Sequence, residues 1–175
     1  MKNLPLLALC FALILAPCRG AVPTPQMAMS WNQSTDPKKW ELKWVDGNEH
    51  GIVAEFVPVG DDINAWKEMV AQQVVFFRRP LGDYVSKWKE RMQKADPGMT
   101  IKVDEEADGS VMASYTSFFA REQSIRRFVR GPDGIYMLAY HVRPGLAEVE
   151  RLLMWKEILR QVTLVPNPEL NHPRR

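Results

Sequence analysis

The chain has 175 residues, with 23 lysines and arginines against 21 aspartates and glutamates and a formal net charge of +2. A balance this even excludes a protein that relies on counterion release from a nucleic-acid backbone, which needs a surplus of cations. Both cysteines, Cys10 and Cys18, fall in the first 20 residues, so the remainder offers no disulfide, thiol nucleophile or thiolate metal site.

The N-terminus reads MKNLPLLALCFALILAPCRGAVP. Lys2 supplies a positive start, Leu4 to Ala16 form a short apolar run, and small residues follow. That layout predicts a secretory signal peptide over residues 1–20, with cleavage before Ala21 and a periplasmic or secreted product. The run is too short to span a bilayer comfortably. A second route exists. Leu15-Ala16-Pro17-Cys18 resembles the bacterial lipoprotein box, although Pro17 stands where the pattern wants Gly or Ala. In that alternative a lipid on Cys18 anchors the protein through acyl chains. Loss of Lys2 and Arg19 would leave 21 basic and 21 acidic residues, a net charge of zero. A chain of the remaining size buries roughly 70% of its unfolded surface, enough for one disulfide-free domain.

Residues 21–39 carry Pro23, Pro25 and Pro37 and read as a loose leader. In WELKWV, Trp40, Leu42 and Trp44 alternate with Glu41 and Lys43, the period of a half-buried strand. Asp46-Gly47-Asn48 marks a turn, and Ile52, Ala54 and Phe56 resume the alternation as far as Pro58. Gly60-Asp61-Asp62 reads as a helix start, with Ile63, Trp66, Met69, Val70, Gln73, Val74 and Phe77 at helical spacing. Pro80 interrupts. Asp83 then opens a second helical stretch with Tyr84, Val85, Trp88 and Met92 on one side, stopped by Asp96-Pro97-Gly98.

Four strands follow: 99–103, 111–119, 123–130 and 135–142. Their turns lie at Ala107-Asp108-Gly109-Ser110 and Gly131-Pro132-Asp133-Gly134. Residues 146–162 carry an apolar stripe that predicts a terminal amphipathic helix, and residues 166–175 read as a frayed tail. The expected fold is therefore α+β, of order ββ-α(α)-ββββ-α: an antiparallel sheet of about six strands in a single domain over residues 40–165. VMASYTSFF and IYMLAYHV are apolar at positions of both parities, which predicts helices on both faces of the sheet, an α/β/α sandwich.

This order, with NAWKEMVAQQVVFF as the first helix and Trp155 on a terminal amphipathic helix, resembles the PsbP-like fold over about residues 40–163. That fold is shared by an extrinsic photosystem subunit, a nuclear Ran-binding protein and small bacterial periplasmic proteins. The resemblance implies a protein that binds or chaperones partners. It transfers no functional residue, because it rests on architecture and pattern rather than on a motif.

Chemistry-bearing motifs are scarce. His50, His141 and His172 are the only histidines, and none stands at metal-ligand spacing from a second ligand. No G-x-S-x-G elbow, phosphate loop or dinucleotide fingerprint occurs, so no catalytic, cofactor or metal site is assigned. A dispersed hydrolase could assemble His141 with Ser114, Ser117 or Ser124. Three features remain as candidate contacts for a protein or cell-envelope partner or an anion. Trp40 and Trp44, sharing one strand face, form a possible aromatic patch. Phe76, Arg78 and Arg79 lie at the break before Pro80. Arg127, between Ile125 and Val129 on an apolar strand face, must be paired, snorkel to an edge or hold an anion. The leading expectation is an exported, non-enzymatic binding domain. A cofactor-free hydrolase and a carrier of small apolar ligands are the alternatives.

Overall fold

The computed structural model describes residues 22–31, 35–106, 108–143 and 149–167; the expected signal peptide and the cysteines lie outside them. The chain is α+β and mainly strand. Its strands are β1 (Met27–Ser30), β2 (Trp40–Asn48), β3 (Gly51–Pro58), β4 (Glu68–Val75), β5 (Thr100–Glu105), β6 (Val111–Ser117), β7 (Glu122–Arg130), β8 (Ile135–Val142) and β9 (Thr163–Pro166). Its helices are α1 (Leu81–Ala95) and α2 (Val149–Arg160). Seven strands make one antiparallel sheet in the order β2-β3-β4-β8-β7-β6-β5, and β1 pairs with β9 in a second, two-stranded sheet.

The first correction concerns residues 61–77, expected as a helix. They hold a turn and then β4, which pairs with β3 on one side and β8 on the other. Met69, Val70, Ala71, Val74 and Val75 form a nearly continuous apolar run, which satisfies a helical spacing and a doubly buried strand alike. Met69 and Ala71 are buried on one face and Val70 on the other. Tertiary pairing therefore sets the outcome, and the β-branched Val70, Val74 and Val75 suit it. The aspartates read as a helix start build a turn instead: the Asp61 N–H donates to the Pro58 carbonyl at 2.9 Å, and Asp62 Oδ1 accepts the Asn64 N–H at 2.9 Å. The main sheet has seven strands rather than six for this reason.

The second correction concerns the first hairpin. Leu42 pairs with Phe56 and Trp44 with Glu55, so Lys43 is an extra residue and β2 bulges there. A bulge inverts the side-chain parity beyond it. Trp40 and Trp44 consequently point to opposite faces instead of sharing one.

Each helix packs against its own set of strand residues. Leu81, Tyr84, Val85, Trp88 and Met92 of α1 meet Val111, Ala113, Tyr115, Phe128, Ile135, Met137 and Ala139. Trp155, Ile158 and Leu159 of α2 meet Val70, Met112, Ile125, Tyr136, Leu138 and Tyr140. These sets alternate along β7 and β8, so they occupy opposite faces of the sheet. Helix α1 starts after Pro80, which acts as its N-cap with no side-chain bond, while Asp83 lies in the first turn, where its charge suits the helix dipole. It ends where the Asp96 N–H donates to the Met92 carbonyl at 2.9 Å and Asp96 Oδ1 accepts the Gly98 N–H at 3.1 Å.

The stretch expected as a leader is ordered in part. Met27–Ser30 pairs with Thr163–Pro166, and the β7–β8 turn holds it from below. Asp133 Oδ2 accepts the Gln26 N–H at 2.7 Å, and the Tyr136 hydroxyl accepts the Met27 N–H at 3.2 Å. Residues 36–40 are clasped by Arg151 of α2. Its guanidinium donates to Asp36 Oδ1 at 2.9 Å and to Glu68 Oε2 at 2.8 Å, while the Trp40 indole N–H donates to Asp36 Oδ2 at 2.9 Å. The Asp36 side chain is fully buried, a position a carboxylate occupies only when it is paired.

Candidate functional site

The six residues selected from the sequence do not converge. Arg127 is buried on the α2 face, opposite Leu138. Its Nη1 donates to the Leu159 carbonyl at 2.9 Å and to the Arg160 carbonyl, its Nε to Ser110 Oγ at 3.1 Å, and its Nη2 to Asp108. It caps the C-terminus of α2, where unpaired carbonyls and the negative end of the helix dipole favour a cation. Trp40 is buried against Trp31, Tyr140 and Trp155, the last edge-on at 5.6 Å. Trp44 is 39% exposed on the other face.

Phe76, Arg78 and Arg79 lie between β4 and α1, ahead of a helix N-terminus and not behind a C-terminus as the sequence suggested. The Phe76 N–H donates to the His50 carbonyl at 3.0 Å. The two arginines are exposed, and Arg130 holds their carbonyls, donating to Arg79 at 3.1 Å and to Arg78 at 3.3 Å.

What the sheet does bring together is a buried polar cluster on the α1 face. Ser124 pairs directly with His141 across β7 and β8, and Glu122 sits at the start of β7. Glu122 Oε1 lies 3.0 Å from His141 Nδ1 and also accepts the Tyr115 hydroxyl. Glu122 is 2% exposed and His141 1%. Burial pushes the Glu122 carboxyl up, but the hydrogen bonds from His141 and Tyr115 outweigh it and hold it below the usual glutamate range. Burial pushes His141 down, against the pull of Glu122. Its Nε2 has no hydrogen-bond partner among the described residues.

Arg126 completes the cluster. It is as buried as Arg127, and its guanidinium lies 4.8 Å from the ring centres of both Trp88 and Tyr115. Nη2 donates to Ser124 Oγ at 3.0 Å. No carboxylate stands at ion-pair distance among the described residues, so the two aromatic faces and the more distant Glu122 offset its charge. Across Ala71 and Ala139 in the same cross-strand row lies Glu55, whose carboxyl is pushed up to about 7 by burial and then by the charge on Glu122.

The sequence reading considered His141 with Ser124 but assigned no role to Glu122, Glu55 or Arg126. Arg126 was detectable: an arginine between two residues of a strand expected to be covered on both faces is as anomalous as Arg127. Glu122 and Glu55 carried no such signal, because each stands beside polar residues at a strand end or in an alternating strand. His141 Nε2 does not engage Ser124 Oγ and is sealed from solvent, so the cluster holds no open nucleophile–base pair. No group of three or more His, Cys, Asp or Glu among the described residues could hold a metal ion.

The exposed apolar residues lie elsewhere. β2 is an outer strand of the seven, and Leu42, Trp44 and Val45 on it are 53%, 39% and 54% exposed. Phe118 and Phe119, at the tip between β6 and β7, are 77% and 78% exposed. No helix among the described residues is long and apolar enough to cross a membrane. Compared with protein families, characterised proteins and solved structures, the chain has no match.

Proposed function

We propose that the protein is an exported, non-enzymatic domain that binds an extended segment of a protein partner of the cell envelope at the outer edge of β2. The observation that carries this reading is a nine-residue edge strand with three exposed apolar side chains. An unpaired strand edge offers backbone donors and acceptors to an added strand, and alternate side chains supply specificity. Proteins that do not use such an edge blunt it with charge, proline or a bulge. Here the bulge at Lys43 leaves residues 44–48 regularly paired with β3, with Trp44 and Val45 exposed. Export is supported by the N-terminal apolar run, with lipidation at Cys18 as the alternative form.

A photo-crosslinking amino acid at position 45 should give a discrete adduct with an envelope protein, while the same group at position 102 on the opposite edge strand should not. Trp44→Glu should weaken capture at least tenfold. Absence of an adduct at position 45, or equal adducts at both edges, would overturn the reading. The hydrolase alternative, His141 with Ser114, Ser117 or Ser124, requires the buried surroundings of His141 to open to substrate. Of the two features that suggested the PsbP-like resemblance, the segment NAWKEMVAQQVVFF holds β4 in place of a first helix, and the terminal helix with Trp155 is kept.

A further inference from the structure

The tip between β6 and β7, SFFARE, has no role in the edge-strand reading. The turn is anchored firmly at its base. Ser117 Oγ donates to Asp96 Oδ2 at 2.6 Å, at the end of α1, and accepts the Ala120 N–H at 2.9 Å. Ala120 packs into the α1-face core. Phe118 and Phe119 are thereby held outward side by side, the two most exposed large apolar residues among those described. The next residue, Arg121, has φ +50, in the left-handed region, where glycine or asparagine is the usual occupant. A side chain kept in a conformation that disfavours it points to a use for that side chain.

Cations stand beside the tip. Arg143 follows the last β8 residue and its N–H donates to the Lys67 carbonyl at 3.1 Å, at the same end of the sheet. Its guanidinium lies 4.8 Å from the Trp66 ring centre, and Lys67, Lys94 and Arg121 are exposed. The nearby acids are taken internally: Glu122 by His141 and Tyr115, and Asp96 by Ser117. Asp61, Asp62 and Lys67 all belong to the β3–β4 connection, on the far side of β8 from the tip.

From this placement we infer that the β6–β7 tip is a docking point for a membrane surface containing anionic phospholipid. Phe118 and Phe119 enter the boundary between headgroups and acyl chains, and Arg121, Arg143 and Lys94 engage the phosphates. A convex pair of aromatics flanked by cations fits a soft anionic interface, whose binding combines buried apolar area with electrostatic attraction. A protein pocket would have to be concave to receive the same wedge. The inference is independent of the β2 edge.

The test is co-sedimentation of the full chain with vesicles of phosphatidylcholine alone and of phosphatidylcholine mixed with phosphatidylglycerol. Binding should be at least tenfold stronger with phosphatidylglycerol and fall steeply with salt. F118S/F119S should reduce it about tenfold, and R121G, which suits the backbone but removes the charge, several-fold. Because the N-terminal apolar run is common to all variants, a fluorine label on Phe118 provides a second readout. Its resonance should broaden on adding the anionic vesicles and not on adding phosphatidylcholine alone. Equal binding of F118S/F119S together with an unperturbed label would overturn the inference. So would a tip that responds to a protein partner and not to vesicles.

Discussion

Arg127 and Arg126 are adjacent in sequence, equally buried, and serve different faces by different means. Arg127 is satisfied by four oxygen acceptors, two of them the last carbonyls of α2. Replacing it with methionine would take this donor from the Arg160 carbonyl and leave the Leu159 carbonyl with only the Val162 N–H, at 3.2 Å. Arg127→Met should therefore cost about 3 kcal/mol in urea unfolding, and Arg127→Lys should recover only part of it because an ammonium cannot span the same fork. Full stability of Arg127→Met would show that water satisfies the helix end. Glu55 allows a pH test. Its carboxyl, raised to about 7, keeps a proton that the unfolded chain releases nearer 4.5, so its contribution to stability declines as pH climbs through that window. Glu55→Gln should be neutral near pH 4 and stabilising above pH 7, read as the difference between two unfolding curves. His141 slopes the other way, because its lowered pKa removes stability as pH falls below the ordinary histidine value. Comparing wild type with the Glu55 variant isolates the first effect from the second.

At the scale of elements, β4 separates two readings of one apolar run. It lies between β3 and β8 and is paired along its length, so its amides should be among the slowest to exchange. Hydrogen exchange should find Val70, Ala71 and Gln72 open only with global unfolding; exchange as fast as in the turn at residues 59–66 would contradict the strand. The clasp between α2 and residues 36–40 is a second element-level device. Arg151→Met removes the partner of a fully buried Asp36. It should destabilise by about 3–5 kcal/mol, since an uncompensated buried carboxylate remains, and a simultaneous Asp36→Asn should restore part of the loss. A double-mutant cycle with no coupling would deny the pairing its role.

For the whole molecule, β1 and β9 close the chain on itself, with Gln26 and Met27 held by the β7–β8 turn. Removing residues 163–175 should expose the segment 22–31 to limited proteolysis well before global unfolding, while α1 and the seven-stranded sheet stay intact. Unchanged cleavage would mean that the turn alone holds β1.

By itself the sequence determined the α+β class, the hairpins at residues 40–58, 100–117 and 122–142, and the two helices that carry Trp88 and Trp155. The helices and the first hairpin show it in their periodicity, and the doubly apolar strands in their short length between turn residues. The place of Arg127 between Ile125 and Val129, on the face opposite Arg126, was also legible from strand alternation, whereas the pairing of Arg130 with Ile135 came from the structure. Tertiary structure alone settled β4, whose doubly buried run fits a helix or a central strand equally until its neighbours are known. It alone placed Trp44 away from Trp40, since a one-residue bulge leaves no mark in an alternating pattern. It alone assembled Glu55, Glu122, His141 and Arg126, from three strands (β3, β7 and β8) whose placement is a matter of sheet order and not of spacing along the chain.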